Sequence, residues 1–158
     1  MCKEYRRKKE NLYTHSFYIA EFWNTVSNLP FIIIGILRLC ELDDSYFELE
    51  YMYALMILAG FASGIHHGLN DQNCLSQKYT IIVDWIPILL SILVFNHYGL
   101  MEFVSLASWV KIILAFSVLI TGHVYTLIPV PWGHVMWHLL ACLAIDSTYQ
   151  DVRINIEF

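Results

Sequence analysis

The sequence predicts an all-α integral membrane protein, a bundle of about five transmembrane helices, and three observations predict it. Hydrophobic residues make up 58% of the chain and charged residues only 15%, a balance too apolar for a small soluble domain to hide. The apolar residues gather in runs that reach or approach the ~20 residues a helix needs to cross a hydrocarbon core. Short polar segments separate those runs. With 158 residues the chain has room for one domain. Its net charge of -5 is modest, and no basic patch suits nucleic acid.

The elements follow in order. Residues 1–16 form a polar tail carrying Lys3, Arg6, Arg7, Lys8 and Lys9. No short apolar core and small-residue site follows it directly, so no cleavable signal peptide is expected. A single transmembrane domain is expected over 17–152, with a C-terminal tail over 153–158. The first span covers 19–40. Its second half, from Phe31, is plainly apolar, whereas Glu21, Asn24, Ser27 and Asn28 interrupt the first. Polar groups at membrane depth are costly, so these should face other helices or a wet cavity. An acidic loop over 41–50 reads as a solvated surface.

A second span covers 51–67 and a polar loop follows over 70–78. The third span covers 79–95, with Asp84 about one turn inside. The fourth covers 109–128, and Pro129 and Pro131 end it. The stretch 100–128 is too short for two crossings and a turn, so it counts as one. The fifth span begins near Trp132 and fades at Asp146, or continues unevenly to Val152. Cys2, Cys40, Cys74 and Cys142 lie far apart, and buried thiols are expected at Cys40 and Cys142 rather than a disulfide framework. Trp85, Trp109, Trp132 and Trp137 suit an aromatic belt.

The chemistry centres on Gly133-His134-Val135-Met136-Trp137-His138. Residues i and i+4 share a helix face, so His134 and His138 can reach one point. Such a pair supplies two zinc ligands from one backbone element. Counting five crossings places Glu21, Ser63, His67, Asp84, His134 and His138 at similar depth on one side of the membrane. Ser63 and His67 are also i and i+4. A metal is a natural partner for several neutral imidazoles in a membrane. Only one of His66 and His67 can face the bundle. His15, His97 and His123 read as interfacial. Facing histidines could also ligate haem.

At these residues the chain resembles the alkaline ceramidases, within the superfamily of intramembrane zinc hydrolases that includes the adiponectin receptors. The stretch Phe17-Tyr18-Ile19-Ala20-Glu21-Phe22-Trp23-Asn24-Thr25-Val26-Ser27-Asn28-Leu29 is similar to the family's opening signature. Ser63-Gly64-Ile65-His66-His67 resembles its Ser-x-x-x-His motif. Asp84-Trp85-Ile86-Pro87 resembles its Asp-x-x-Pro, and His134-Val135-Met136-Trp137-His138 its His-x-x-Trp-His. The likeness runs from Glu10 to Leu143.

The resemblance implies a reduced version of a seven-helix fold. It implies zinc held by His67, His134 and His138, with Ser63 and Asp84 beside it as catalytic groups. It selects His67 over His66. The implied activity is hydrolysis of the amide of ceramide or a related N-acyl lipid substrate, in an endoplasmic reticulum or Golgi membrane. The alternative is a zinc-binding receptor-like or scaffold protein with little or no turnover. A Ca2+ site is implied at Glu10, Asn11 and Glu21, although Arg7, Lys8 and Lys9 stand where the family carries acidic or neutral residues. The span shortfall falls mainly between Asp84 and His134; losing two helices there preserves the direction of the last one. The distribution of Lys and Arg puts the N-terminus in the cytosol, whereas the resemblance implies a lumenal one.

Overall fold

The computed structural model describes residues 19, 21–42, 47–69, 74–121 and 132–157, and these are helical throughout apart from turns and connections. The helices are α1 (Phe22–Val26), α2 (Leu29–Cys40), α3 (Phe47–Gly68), α4 (Cys74–His97), α5 (Leu106–Leu119) and α6 (Trp132–Glu157), with a 3-10 turn at Leu100–Phe103. The described residues are all-α, as expected. Among the described residues, two segments, Phe22–Cys40 and Tyr79–His97, are long and apolar enough to cross a membrane.

The expected first span is broken. Its helix stops at Val26 and restarts at Leu29, with Pro30 in the first turn of α2. Pro30 has no N–H to donate to Val26 O and so cannot continue the preceding helix, but it fits a first turn, where that missing N–H costs nothing. Asn28 and Ser27 are buried at this break rather than exposed as a loop.

The other boundaries shift outward. The expected acidic loop over 41–50 is partly helix, since α3 starts at Phe47. The expected polar loop over 70–78 yields to α4 from Cys74, so Asp84 stands about three turns into its helix rather than about one. The helix of the expected fourth span, α5, starts at Leu106, with Ser105 Oγ accepting from Ser108 N at 3.2 Å as its N-cap. Residues 122–128 of the expected fourth span lie outside the described residues.

The last helix runs through the expected tail to Glu157. Its polar half holds together because neighbouring helices supply partners. Asp146 takes two bonds from the Arg38 guanidinium, at 3.0 and 3.2 Å. Gln150 donates to Tyr53 Oη at 2.8 Å, and Asp151 accepts from Ser105 N at 2.9 Å. Cys142 is buried as expected, but Cys40 is exposed on α2.

Helix α3 is the hub: it packs on α1, α2, α4 and α6. Leu49, Met52, Tyr53 and Met56 bury its first half, and Ser63, His66 and His67 its last turns. Two glycines permit the α2–α3 approach. A Cβ on Gly35 would stand 2.5 Å from Ile57 Cγ1, and one on Gly60 would stand 2.9 Å from Phe31 Cβ and 3.2 Å from Asn28 O. Helix α4 turns Thr80, Asp84, Pro87, Ser91 and Phe95 inward at helical spacing, while Ile82, Leu89, Ile92 and Leu93 are exposed. Phe95 stacks on Tyr149 of α6 at the end of the bundle opposite His67.

The glycine geometry predicts a contrast. Gly60→Val forces α2 away from α3 and should cost about 1–3 kcal/mol. A Cβ on Gly64 would meet no atom within 4 Å, so Gly64→Ala should be neutral or stabilising by up to about 1 kcal/mol. Thermal unfolding of both variants in detergent reads the difference; equal stability of the two would contradict it.

Candidate metal centre

The site forms where the C-terminal end of α3 meets the N-terminal turns of α6. His134 Nε2 lies 3.0 Å from His67 Nε2. The rings of His134 and His138 are 4.5 Å apart by centroid, and His67 and His138 are 5.3 Å apart. One ligand atom from each of the three histidines falls within 4.8 Å of the others, and His67 and His138 are buried while His134 is partly so. The helical i, i+4 spacing expected of His134 and His138 is what aims both at one point.

Two of the imidazoles are held from behind. Glu21, fully buried, accepts from His67 Nδ1 through Oε2 at 2.6 Å, and Asn24 Nδ2 donates to the same oxygen at 3.0 Å. Ser27 Oγ lies 2.7 Å from His138 Nδ1 and donates its own proton to Asn24 O at 2.9 Å. A hydroxyl has one proton, so with that proton on Asn24 O the bond to His138 comes from the ring N–H. Both rings therefore carry their proton on Nδ1 and turn a lone pair outward on Nε2.

The donor set fits a metal ion. Neutral imidazole Nε2 is a common zinc ligand, and ligating histidines characteristically give the other N–H to a carboxylate or carbonyl. Two nitrogens about 2.05 Å from a tetrahedral zinc stand about 3.3 Å apart, a few tenths of an ångström wider than the observed His67–His134 separation. Three nitrogens from α3 and α6 would hold the ion, which matches the expected ligand set.

His66 turns elsewhere. Its Nδ1 meets Thr80 Oγ1 of α4 at 2.9 Å. The geometry thus agrees with the selection of His67 over His66. Ser63 is buried one turn before His67 on the same face of α3. Asp84 is half-buried on α4, one turn beyond Thr80, on the face that meets His66. Of the residues expected at a calcium site, Glu10 and Asn11 lie outside the described residues, and Glu21 directs Oε2 at His67 and Asn24. Ser27, absent from the expected site residues, has the direct contact with His138.

Compared with protein-family models, with curated proteins and with solved structures, the chain matches none.

The neighbouring histidines give a sharp test. Zinc should bind the purified protein at one equivalent and be lost in His67→Ala and His138→Ala. His66→Ala should retain it. Metal analysis after chelation and reloading reads this; loss of zinc in His66→Ala alone would contradict the assignment.

Proposed function

We propose that this protein is a zinc-dependent intramembrane hydrolase that cleaves the amide of ceramide or a related N-acyl lipid. The observation that carries the reading is the convergence of His67, His134 and His138 from two helices, with Ser63 one turn behind on α3. The resemblance of four motifs to the alkaline ceramidases supplies the substrate class. In this reading the bundle crosses the bilayer five times, counting α1 and α2 as one interrupted crossing. Lipid then covers exposed apolar side chains such as Leu89, Ile92, Leu93, Ile113 and Phe116. Glu21, the triad and Asp84 share one end, near the interface, where water and a lipid amide meet.

Bound zinc would supply an open coordination position and lower the pKa of water there to roughly 7. Asp84 orients the attacking water and takes its proton, then returns a proton to the departing amine. Attack on the amide carbonyl forms a carbon–oxygen bond, and collapse breaks the carbon–nitrogen bond. The Ser63 hydroxyl donates to the developing oxyanion; one such donor is worth about 3 kcal/mol. The acyl chain remains among the exposed apolar residues of α4. The products are a fatty acid and a sphingoid base.

The test pairs metal analysis with hydrolysis of a ceramide panel by the purified protein. His134→Ala should lose both zinc and activity. Ser63→Ala and Asp84→Asn should keep zinc and lose turnover by about a hundredfold or more. Full activity in His134→Ala would end the proposal. Stoichiometric zinc with no hydrolysis of any ceramide would favour a zinc-bearing receptor or scaffold instead.

A further inference from the structure

We propose that Glu21, Asn24 and Ser27 are positioning residues of the metal centre, a hydrogen-bonded ladder on the first helical turns that sets the tautomers of two ligands from two other helices. The inference rests on reading the histidine triad as a metal site. It assigns a role to the polar first half of an otherwise apolar segment.

The three residues recur every third position along α1 and the turns that flank it, which keeps them on one side of that segment. All three are buried. Glu21 Oε2 receives His67 Nδ1–H and Asn24 Nδ2–H. Asn24 O receives the Ser27 hydroxyl at 2.9 Å and Asn28 Nδ2 at 2.8 Å. Ser27 Oγ in turn receives His138 Nδ1–H at 2.7 Å. Asn24 therefore links the two arms: its amide braces the carboxylate behind His67, and its carbonyl consumes the only hydroxyl proton of Ser27. That consumption is what obliges Ser27 to act as an acceptor toward His138.

The consequence is chemical as well as geometric. A ring proton fixed on Nδ1 leaves Nε2 as the ligand atom on both His67 and His138. A carboxylate behind His67 also makes its Nε2 a stronger donor to a cation. The backbone adds a third tie, since Glu21 N donates to His67 O at 3.1 Å. The carboxylate thus rides on the same stretch of α3 that carries its imidazole. A merely structural ladder would have no need to end on the back of two different ligands.

The experiment uses the full chain in detergent, stripped with a chelator. Zinc affinity is measured by competition with a chromophoric chelator, the coordination sphere by cobalt(II) d–d absorption, and folding by the melting midpoint of the metal-free protein. Ser27→Ala and Glu21→Gln should each weaken zinc binding by about 10–100-fold and alter the cobalt spectrum, with the metal-free midpoint little changed. Ser27→Thr, which keeps the hydroxyl, should bind within about threefold of the parent, in keeping with an acceptor role for that oxygen. If Ser27→Ala and Glu21→Gln both bind zinc as tightly as the parent, this inference falls while the metal reading stands. Affinity loss in Ser27→Thr equal to that in Ser27→Ala, with matching loss of stability, would show a packing role and also overturn it. A parent protein that takes up no zinc removes the metal reading and the ladder with it.

Discussion

The geometry of the histidine cluster depends on a buried carboxylate finding partners. Glu21 has no exposed surface, and taking a carboxylate out of water costs several kcal/mol unless hydrogen bonds replace the lost solvation. His67 and Asn24 supply two such bonds to Oε2, and the short backbone tie from Glu21 N to His67 O fixes the register between the start of α1 and the end of α3. Once that register is set, Ser27 has only a narrow range of positions, and His138 must come to it. The apolar core alone could not enforce this. Leu49, Met52, Tyr53 and Met56 pack α3 against its neighbours, but burial is indifferent to small rotations that would separate Nδ1 from its acceptor.

The opposite end supplies the second anchor for α6. Arg38 grips Asp146 with two nitrogens and reaches Glu41 at 2.8 Å with a third. The pair is partly shielded, with 16% of the Asp146 side chain exposed, so it is worth more than a surface contact and less than a buried one. Tyr53 stands T-shaped on Tyr149 while its hydroxyl accepts from Gln150. A helix held at Asp146 and Gln150 as well as at His138 cannot slide along its axis. A slip of one residue would move the His134 and His138 nitrogens about 1.5 Å along the axis and about 100° around it, enough to dismantle the three-histidine cluster.

The legible and illegible parts divide along physical lines. Helical periodicity fixes which residues share a face within one helix, so spacing alone pairs His134 with His138, and Ser63 with His67. Counting crossings then puts both pairs at one end. Contacts between helices are another matter. The polar stretch after Ile145 reads as a fading helix because its partners, Arg38, Tyr53 and Ser105, lie 46 to 108 positions away in sequence. The start of α4 is obscured by polar residues that read as loop. Glu21 is visible as an expensive intramembrane carboxylate, but an acidic residue near other acidic or amide residues suggests a cation as readily as an imidazole. Ser27 carries a weaker signal still: a lone serine just ahead of Leu29-Pro30. Its cost in an apolar run is the one clue that it faces something polar.

That division also bears on why a short bundle can hold the site. The three histidines come from α3 and α6, and the ladder behind them from α1 and the turns that flank it. Among the described residues, α5 contributes no ligand atom to the triad. Its part is to pack along α6 through Ser108 and Ala115, with Ser108 Oγ meeting Ser147 Oγ at 2.8 Å. The stretch between Asp84 and His134 therefore needs to do two things for the centre: return the chain to the correct end, and brace α6. One helix can do both. In the proposed reading, holding a metal ion falls to α3 and α6 with α1 behind them, and contact with a lipid chain to the exposed apolar faces of α4 and α5, so the two demands fall on different helices.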